Sequence, residues 1–310
     1  MMEIFIKQLS KSRSFIMGLA MVSIMWFHQG WMHDVVSKGF GFVGHFGVDI
    51  FFFVSGFGVV YALRKYNVKS FYLRRIQRLF PSLIIFGICK YLIVKYIGPD
   101  VFSGYSVDWT TLLGFDLWYI CVLLVFYIIS PLIYKFITPI GGWVFLLTLI
   151  MLIALGGNYN GFHDTFRWGL VRFPVFLSGM LIADNKLNMS AGYLKYGLIF
   201  VLLAALYRLS RALGYNDATE LYTFLILCAG IPSLCFWLAK LHLIIENTNV
   251  SRIFIYIGQR SLELYIVHEF IYSFIKHLVI PNIIGFISAV LVSVIVAELL
   301  YRVKVFLFKG

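Results

Sequence analysis

Two polar residues near the start of the chain have the types and the spacing needed for general-base chemistry. His28 follows an apolar stretch in SIMWFHQG, and Asp49 stands just ahead of FFF in GVDIFFFVSGFG. We expect two helices joined by a hairpin, which brings the ends that carry these residues together. A carboxylate beside an imidazole fixes its tautomer and raises its basicity, as a base acting on a hydroxyl requires. In the plainer interpretation, His28 and His45 are interfacial polar residues and Asp49 caps the second helix.

A strongly basic segment follows the second apolar stretch. Between Arg64 and Arg78 six cations occur without an acid, and three of them, Arg74, Arg75 and Arg78, form what we call the arginine cluster. We predict a loop here that ends in an amphipathic turn, with Pro81 opening the next helix. Guanidinium groups match phosphate oxygens, so one hypothesis is that the cluster binds a phosphorylated cytoplasmic ligand. The alternative is an anchor for anionic lipid headgroups.

Further ionisable residues lie inside apolar stretches, where a charge is costly and often functional. They are Arg172, Glu263, His268, Glu269 and Glu298. We place Arg172 near the outer end of its helix, where it can face the same cavity as His28. We also predict a local ion pair between Glu298 and Arg302, which are four residues apart. No Cys or His spacing typical of a metal site occurs, so no metal is expected.

The composition identifies the class of protein that must position these residues. Hydrophobic residues make up 61% of the 310 residues and charged residues 13%, against about 45–50% and about 25% in soluble domains. Such a chain cannot hide its apolar surface from water, and its apolar runs are continuous rather than alternating. The predicted fold class is therefore all-α, a polytopic transmembrane helical bundle, and a membrane β-barrel is excluded.

Apolar runs long enough to cross about 30 Å of hydrocarbon predict about ten helices. Their bounds are roughly residues 14–32, 44–62, 80–97, 116–135, 142–156, 168–184, 193–209, 219–240, 261–279 and 283–303. Most of the 26 Lys and Arg residues fall on the side of the N-terminus, so both termini are predicted to be cytoplasmic. The segment from His242 to Gln259 is expected to lie along the inner surface as an interfacial helix or loop.

One membrane domain is expected over residues 1–310, with its core at about 14–303 and no separate soluble domain. The net charge of +12 follows from the topology, so no nucleic-acid partner is expected. We place the protein in the inner, cytoplasmic membrane of the cell as a multi-pass protein, with membrane lipids around it. The oligomeric state is left open, with a homodimer as one option.

Five motifs, in order, resemble the acyltransferase-3 membrane family, which includes bacterial surface-polysaccharide O-acetyltransferases. They are GVDIFFFVSGFG, FYLRRIQRLFP, LWYICVLLVFYIISPLIY, RFPVFLSGMLI and SLELYIVHEF, and the resemblance runs from about Phe15 to Val303. It implies an enzyme that takes an acyl group, preferably acetyl, from cytoplasmic acyl-CoA. The implied acceptor is a hydroxyl of a surface polysaccharide or of a lipid-linked glycan. Acetyl-CoA is then a co-substrate, and no bound cofactor is expected.

The resemblance also assigns roles to residues. The family's helix-one histidine falls on His28 as the catalytic residue, and its Gly-x-Asp-x-Phe-Phe-x-x-Ser-Gly pattern falls on a run that includes Asp49 and Ser55. Its basic R-x-x-R-x-x-P pattern falls on Arg75 and Arg78, which the resemblance associates with the acyl-CoA end of the site.

One position departs from the family pattern. Many members carry an Arg eleven residues before the helix-one histidine, and here that position is Met17. Arg13 lies one turn earlier, about 6 Å further from His28 along a helix. Its long side chain is the candidate substitute at the acyl-CoA site.

These observations lead to one mechanistic hypothesis and two alternatives. The arginine cluster holds the CoA phosphates at the inner face, and His28, oriented by Asp49, takes the proton of the acceptor hydroxyl. Arg172 or a helix-end amide is the candidate donor to the oxyanion, and a route through an acylated His28 or Ser55 stays open. The alternatives are a glycan or lipid transporter or flippase that uses the same residues, and a non-catalytic component of a glycan-assembly complex.

Overall fold

A computed structural model describes residues 2–28, 43–97, 117–140, 164–184, 230–277 and 282–308, with a few single positions between 198 and 213. The regular structure of these residues is helical throughout, which confirms the all-α class. We number the helices α1 (Met2–Phe27), α2 (Val43–Lys65), α3 (Val68–Ile97), α4 (Trp118–Ile140), α5 (Asp164–Ala183), α6 (Ile231–Ile245), α7 (Asn249–Gln259), α8 (Ser261–His277) and α9 (Asn282–Phe308).

Four helices in the described part of the chain are long and apolar enough to cross a membrane. These spans are Phe46–Lys65, Val68–Tyr96, Trp118–Phe136 and Ile284–Phe308. Two shorter apolar helical segments, Arg172–Ala183 and Ile231–Ile245, lie within the sixth predicted span and at the end of the eighth. The protein is therefore a multi-span helical membrane protein.

The predicted helix bounds hold to different degrees. Helix α1 begins well before residue 14, so the basic residues at its start lie on the helix. Helices α2, α4, α5, α8 and α9 coincide with predicted spans to within a few residues. The predicted span at 142–156 lies outside the described residues, as do most of 193–209 and the first part of 219–240.

The prediction of a basic loop closed by Pro81 is wrong. Helix α3 runs without a break from Val68 to Ile97, so the arginine cluster lies on its first half. The side chain of Asn67 accepts a hydrogen bond from the Ser70 N–H at 2.8 Å and caps the helix start. A proline inside a helix costs about 3 kcal/mol, and the burial of Pro81 beside Ser82 and Leu83 helps to offset this cost.

The described chain divides into two compact units. The first unit consists of Met1–Ile16, Asp49–Phe71 and Val122–Arg252, and the second of Met17–Val48, Tyr72–Cys121 and Ile253–Gly310. The single domain that we predicted over residues 1–310 stays a prediction.

In the first unit, α2 and α5 approach each other closely through glycines. A Cβ atom on Gly56 would overlap the carbonyl oxygen of Phe176, and one on Gly179 would overlap that of Phe53. Both positions therefore require glycine. The ring of Phe126 from α4 packs 5.1 Å from that of Phe176 beside this contact. Small residues that let helix backbones meet are typical of membrane helix packing.

Polar contacts join helix ends in the first unit. Arg64, at the end of α2, donates to the carboxylate of Asp184 at 2.5 Å, just beyond the end of α5. Lys11 of α1 bonds to Glu246 after α6 at 2.6 Å, and its hydrogen bond and charge lower the pKa of Glu246. His242 Nδ1 lies 2.9 Å from the hydroxyl of Ser12, which ties α1 to α6.

In the second unit, α8 packs against α9, and ion pairs join α9 to α8 and to Arg260 just before α8. Glu298 bonds to Arg260, and its other oxygen lies 2.8 Å from Arg302, which confirms the pair predicted from their spacing. Buried Glu263 pairs with Lys304 and accepts a hydrogen bond from Ser82 at 2.9 Å. These contacts hold the start of α8 against the second half of α9.

The segment predicted to be an interfacial helix or loop contains the end of α6, a turn at 246–248 and α7. Thr248 caps α7 by accepting a hydrogen bond from the Ser251 N–H at 3.2 Å. Val250, Ile253 and Tyr256 are exposed at three-residue intervals on this short helix. Its position along the inner membrane surface stays a prediction, which this amphipathic pattern favours.

Candidate functional site

A histidine and a carboxylate meet where α1 ends in the second unit. His28 follows directly after α1, and its N–H bonds to the carbonyl of Ile24 at 3.2 Å, so the last turn of the helix positions it. Its Nδ1 lies 3.1 Å from Oε1 of Glu269 on α8, and 29% and 39% of the two side chains are exposed. The pair is thus partly buried and still reachable.

A second histidine stands beside this pair. The ring of His268 lies 5.1 Å from that of His28 at an angle of 74°. His268 is fully buried, and its Nδ1 lies 2.9 Å from the carbonyl of Tyr265 and 3.1 Å from that of Leu264. Only a protonated Nδ1 can donate to carbonyls, so the neutral ring carries its lone pair on Nε2. We call His28, His268 and Glu269 the His–Glu cluster.

Aromatic side chains of the second unit line the cluster. The ring of Tyr265 lies 5.5 Å from that of His268 and 5.0 Å from that of Tyr119. On the other side, Tyr272 lies 6.0 Å from His268 and 6.4 Å from Phe286. Such surroundings keep water from His268 and lower the dielectric constant around its ring, which strengthens the hydrogen bonds from its Nδ1 to the two carbonyls.

This arrangement can perform general-base chemistry. A carboxylate that accepts the Nδ1 proton of His28 leaves the Nε2 lone pair of that ring for a substrate proton. Histidine is the residue most often used for such proton transfer. Glu269 therefore supplies in the second unit the carboxylate that we sought for His28 in the sequence.

Asp49, which we predicted to lie beside His28, forms an ion pair with Arg172. Its Oδ1 lies 2.9 Å from Nε of Arg172, and the two side chains are 2% and 6% exposed. Both residues belong to the first unit, whereas His28 belongs to the second. The predicted pairing of Asp49 with His28, and a cavity shared by Arg172 and His28, stay predictions. A buried ion pair of this kind is structurally important because loss of either partner leaves an uncompensated charge.

The arginine cluster lies in the second unit on the first half of α3. Arg74 and Arg78 are exposed and Arg75 is half-buried. On a helix, residues three and four positions apart are neighbours, so Arg78 lies next to both of the others. The helix thus gathers three arginine side chains within about one turn, and their guanidinium forks suit phosphate oxygens.

The two remaining candidate residues lie in the first unit. Arg13 lies against α2, since a Cβ atom on Gly58 would be 3.8 Å from its guanidinium nitrogen. Ser55 is 8% exposed and precedes the tightly packed Gly56. The packing favours a small-residue role for the Ser-Gly pair, and the substrate roles of Arg13 and Ser55 stay predictions.

The sequence singles out His28 as a catalytic candidate and His268 and Glu269 as ionisable residues in an apolar run, but it does not predict that the three side chains lie together. The available signal was the adjacent His and Glu in SLELYIVHEF, within a strongly apolar run. Two such residues on neighbouring positions of a helix point in directions about 100° apart. Their convergence on a third residue far away in the chain is a tertiary feature that spacing does not reveal.

Comparisons with known proteins identify a family and several relatives. A family model described as "Acyltransferase domain" matches residues 16–302. Proteins of Staphylococcus aureus strains COL, MSSA476 and MRSA252, each named "Putative O-acetyltransferase", are 28% identical over 331 aligned residues. The alignments cover 84% of this chain and 52% of each relative, so the chain spans about half the length of these relatives. No solved structure matches the chain.

Proposed function

The chain belongs to the acyltransferase-3 family, whose domain model matches residues 16–302, and from this premise we propose that it is a membrane O-acyltransferase. The proposed donor is cytoplasmic acyl-CoA, and the acceptor is a hydroxyl of a surface polysaccharide or of a lipid-linked glycan. The observation that carries this proposal is the placement of His28 against Glu269 at the end of α1. Membership of the family confirms the resemblance seen in the five sequence motifs.

The proton transfer is assigned to His28. With its Nδ1 proton held by Glu269, the ring takes the acceptor hydroxyl proton on Nε2 as the oxygen attacks the thioester carbonyl. The new C–O bond forms, the C–S bond breaks, and the proton passes from His28 to the departing sulfur, which leaves as the thiol of CoA. General-base help of this kind contributes about 100- to 10,000-fold to the rate.

Glu269 has the role of a positioning residue for His28. Its carboxylate keeps the proton on Nδ1 and stabilises the imidazolium that forms during transfer.

The arginine cluster is the proposed binding site for the phosphates of CoA. Each phosphate carries negative charge, and arginine forks bind such groups through paired, charge-assisted hydrogen bonds. The grouping of the three arginines within about one turn of α3 supports this assignment. Arg172 and a helix-end amide remain the two candidates for the oxyanion donor.

Acetyl is the proposed acyl group. The Staphylococcus aureus relatives are named as O-acetyltransferases, and this supports an acetyl donor for the present chain. The inner membrane is the proposed location, because it gives access to cytoplasmic CoA on one side and to surface precursors on the other.

The test measures CoA release from acetyl-CoA by purified protein in liposomes, with and without a crude glycolipid pool. Wild type should release CoA only when acceptor is present, and His28→Ala should lose this activity. His242→Ala is the control, because His242 is a histidine of the first unit that lies outside the His–Glu cluster. Equal loss in both variants, or full activity in His28→Ala, would contradict the assignment.

A further inference from the structure

We propose that the His–Glu cluster is also a binding site for a divalent transition-metal ion, with Zn²⁺ as the probe of choice, and that the bound ion inhibits the protein. The sequence, by its His and Cys spacing, led us to expect no metal. Metal binding itself does not depend on the proposed function, and only the inhibition rests on it.

The donor atoms of the cluster lie close enough to share one ion. One nitrogen from His28, one from His268 and one oxygen from Glu269 all lie within 4.8 Å of one another. The shortest measured separation, from His28 Nδ1 to Glu269 Oε1, is 3.1 Å. Ligands around tetrahedral zinc, with bonds of about 2.0–2.1 Å, stand about 3.3 Å apart. The widest of these separations must therefore close by at most about 1.5 Å, which side-chain rotation of the part-exposed His28 and Glu269 can provide.

His268 is prepared as a ligand before any ion arrives. Its Nδ1 proton is held by the carbonyls of Tyr265 and Leu264, so the ring orientation and the tautomer are fixed. Metal-bound histidines are commonly held in this way through their second nitrogen. Its buried Nε2 has no hydrogen-bond partner among the residues that the structure describes. A buried acceptor left unused in this way calls for an explanation, and with donors of His28 and Glu269 close by, a metal ion is one that suits a neutral imidazole.

The type and number of the donors select the class of ion. Two imidazole nitrogens and one carboxylate oxygen suit zinc, copper or nickel, whereas calcium and magnesium prefer six or more oxygens. The carboxylate of Glu269 also offsets part of the charge of the ion. Three protein ligands leave one tetrahedral position open for water.

Occupation of the site explains the expected inhibition. A neutral imidazole has one ring lone pair, so an ion bound at Nδ1 of His28 leaves the ring proton on Nε2, and no lone pair remains for the acceptor proton. The ion also draws Glu269 away from its hydrogen bond with the His28 Nδ1. The ion therefore competes with general-base catalysis, and a chelator should restore activity.

The experiment measures Zn²⁺ binding by isothermal titration calorimetry to purified, chelator-treated protein in detergent. The visible absorption of bound Co²⁺ provides a second readout. Wild type should bind one equivalent. Both Glu269→Gln and His268→Gln should weaken the affinity for Zn²⁺ by more than about tenfold. Loss of a residue that only supports a metal ligand already costs about tenfold, and a ligand itself should cost more. If burial prevents His268→Gln from folding, Glu269→Gln carries the test, since its side chain is 39% exposed.

His242→Gln is the matched control, since His242 is also buried with its Nδ1 hydrogen-bonded and its Nε2 unpartnered among the described residues. It should bind Zn²⁺ as wild type does. Unchanged affinity in Glu269→Gln, or an equal loss in His242→Gln, would overturn the site. Zinc that binds as expected but leaves acetyl transfer unaffected would overturn the inhibition. Expected binding by a protein that never transfers acetyl would contradict the proposed function and leave the metal site standing.

Discussion

Glu269 holds its carboxylate 3.1 Å from Nδ1 of His28, at the point where α1 ends against α8. The two residues are far apart in the sequence, and helix periodicity does not predict their contact. The contact places an acid beside the histidine that the family resemblance assigns to catalysis.

Replacement of Glu269 by Gln should lower kcat for acetyl transfer by about tenfold or more and leave the KM for acetyl-CoA nearly unchanged. The amide keeps the size of the side chain but cannot stabilise an imidazolium, and general-base help is worth about 100- to 10,000-fold in total. Steady-state kinetics with acetyl-CoA and a glycolipid pool measures both constants.

Glu246→Gln provides the control for Glu269→Gln. Glu246 is another part-exposed acid that bonds to a cation, Lys11, but it lies in the first unit after α6. Its replacement should leave kcat unchanged. Equal effects of the two variants would show that Glu269 has no special relation to His28.

Loss of either partner of the Asp49–Arg172 pair should destabilise the protein strongly. The two side chains are almost fully buried, so Asp49→Asn removes the carboxylate charge beside the Arg172 guanidinium and should cost about 3–5 kcal/mol. Thermal unfolding in detergent reports the change, and the double variant with Arg172→Met should cost less than the two single variants summed. Additive costs would mean that the two residues do not depend on each other.

The helix contact through Gly56 gives a prediction with a control on the same helix. Gly56→Ala places a Cβ atom on the backbone carbonyl of Phe176 and should destabilise the protein by about 1–3 kcal/mol. Gly58→Ala meets only ordinary contacts with Arg13 and should be neutral or stabilising by up to about 1 kcal/mol. Equal melting temperatures of the two variants would rule out the close approach of α2 and α5.

Removal of two arginines of the cluster should weaken donor binding rather than chemistry. Arg75→Ala combined with Arg78→Ala should raise the KM for acetyl-CoA by about tenfold or more, because each charge-assisted contact is worth about 1.5–3 kcal/mol. The effect on kcat should be small. Lys95→Ala, an exposed cation at the other end of α3, is the control and should change neither constant. A rise in KM for Lys95→Ala as large as for the double variant would point to overall charge instead.

The membrane helices could be predicted well from the sequence because an apolar span has a simple signature. Continuous apolar runs such as DIFFFVSGFGVVYAL are typical of membrane helices, in which every backbone group bonds within the helix. The basic segment before Pro81 was misjudged, since proline usually marks a helix start in soluble proteins. In membrane helices neighbouring elements satisfy the freed backbone groups, so α3 continues through it.

The partners of the polar residues could not be derived in the same way. The nearest acid to His28 along the apolar elements is Asp49, which made that pair the natural hypothesis. The observed neighbour of Asp49 is Arg172, and that of His28 is Glu269. Both contacts join distant parts of the chain and depend on how whole helices rotate and pack. Only the local pair of Glu298 and Arg302, set by helix periodicity, followed from spacing.

The central claim is best tested by following labelled acetyl from acetyl-CoA into the acceptor. Liposomes that hold wild type or His28→Ala are given the same glycolipid pool, and base-labile acetyl ester in that pool is measured. We expect ester formation by wild type, and a loss of about 100-fold or more in His28→Ala at equal protein folding. Labelled ester formed at the wild-type rate by His28→Ala would show that His28 is not the general base.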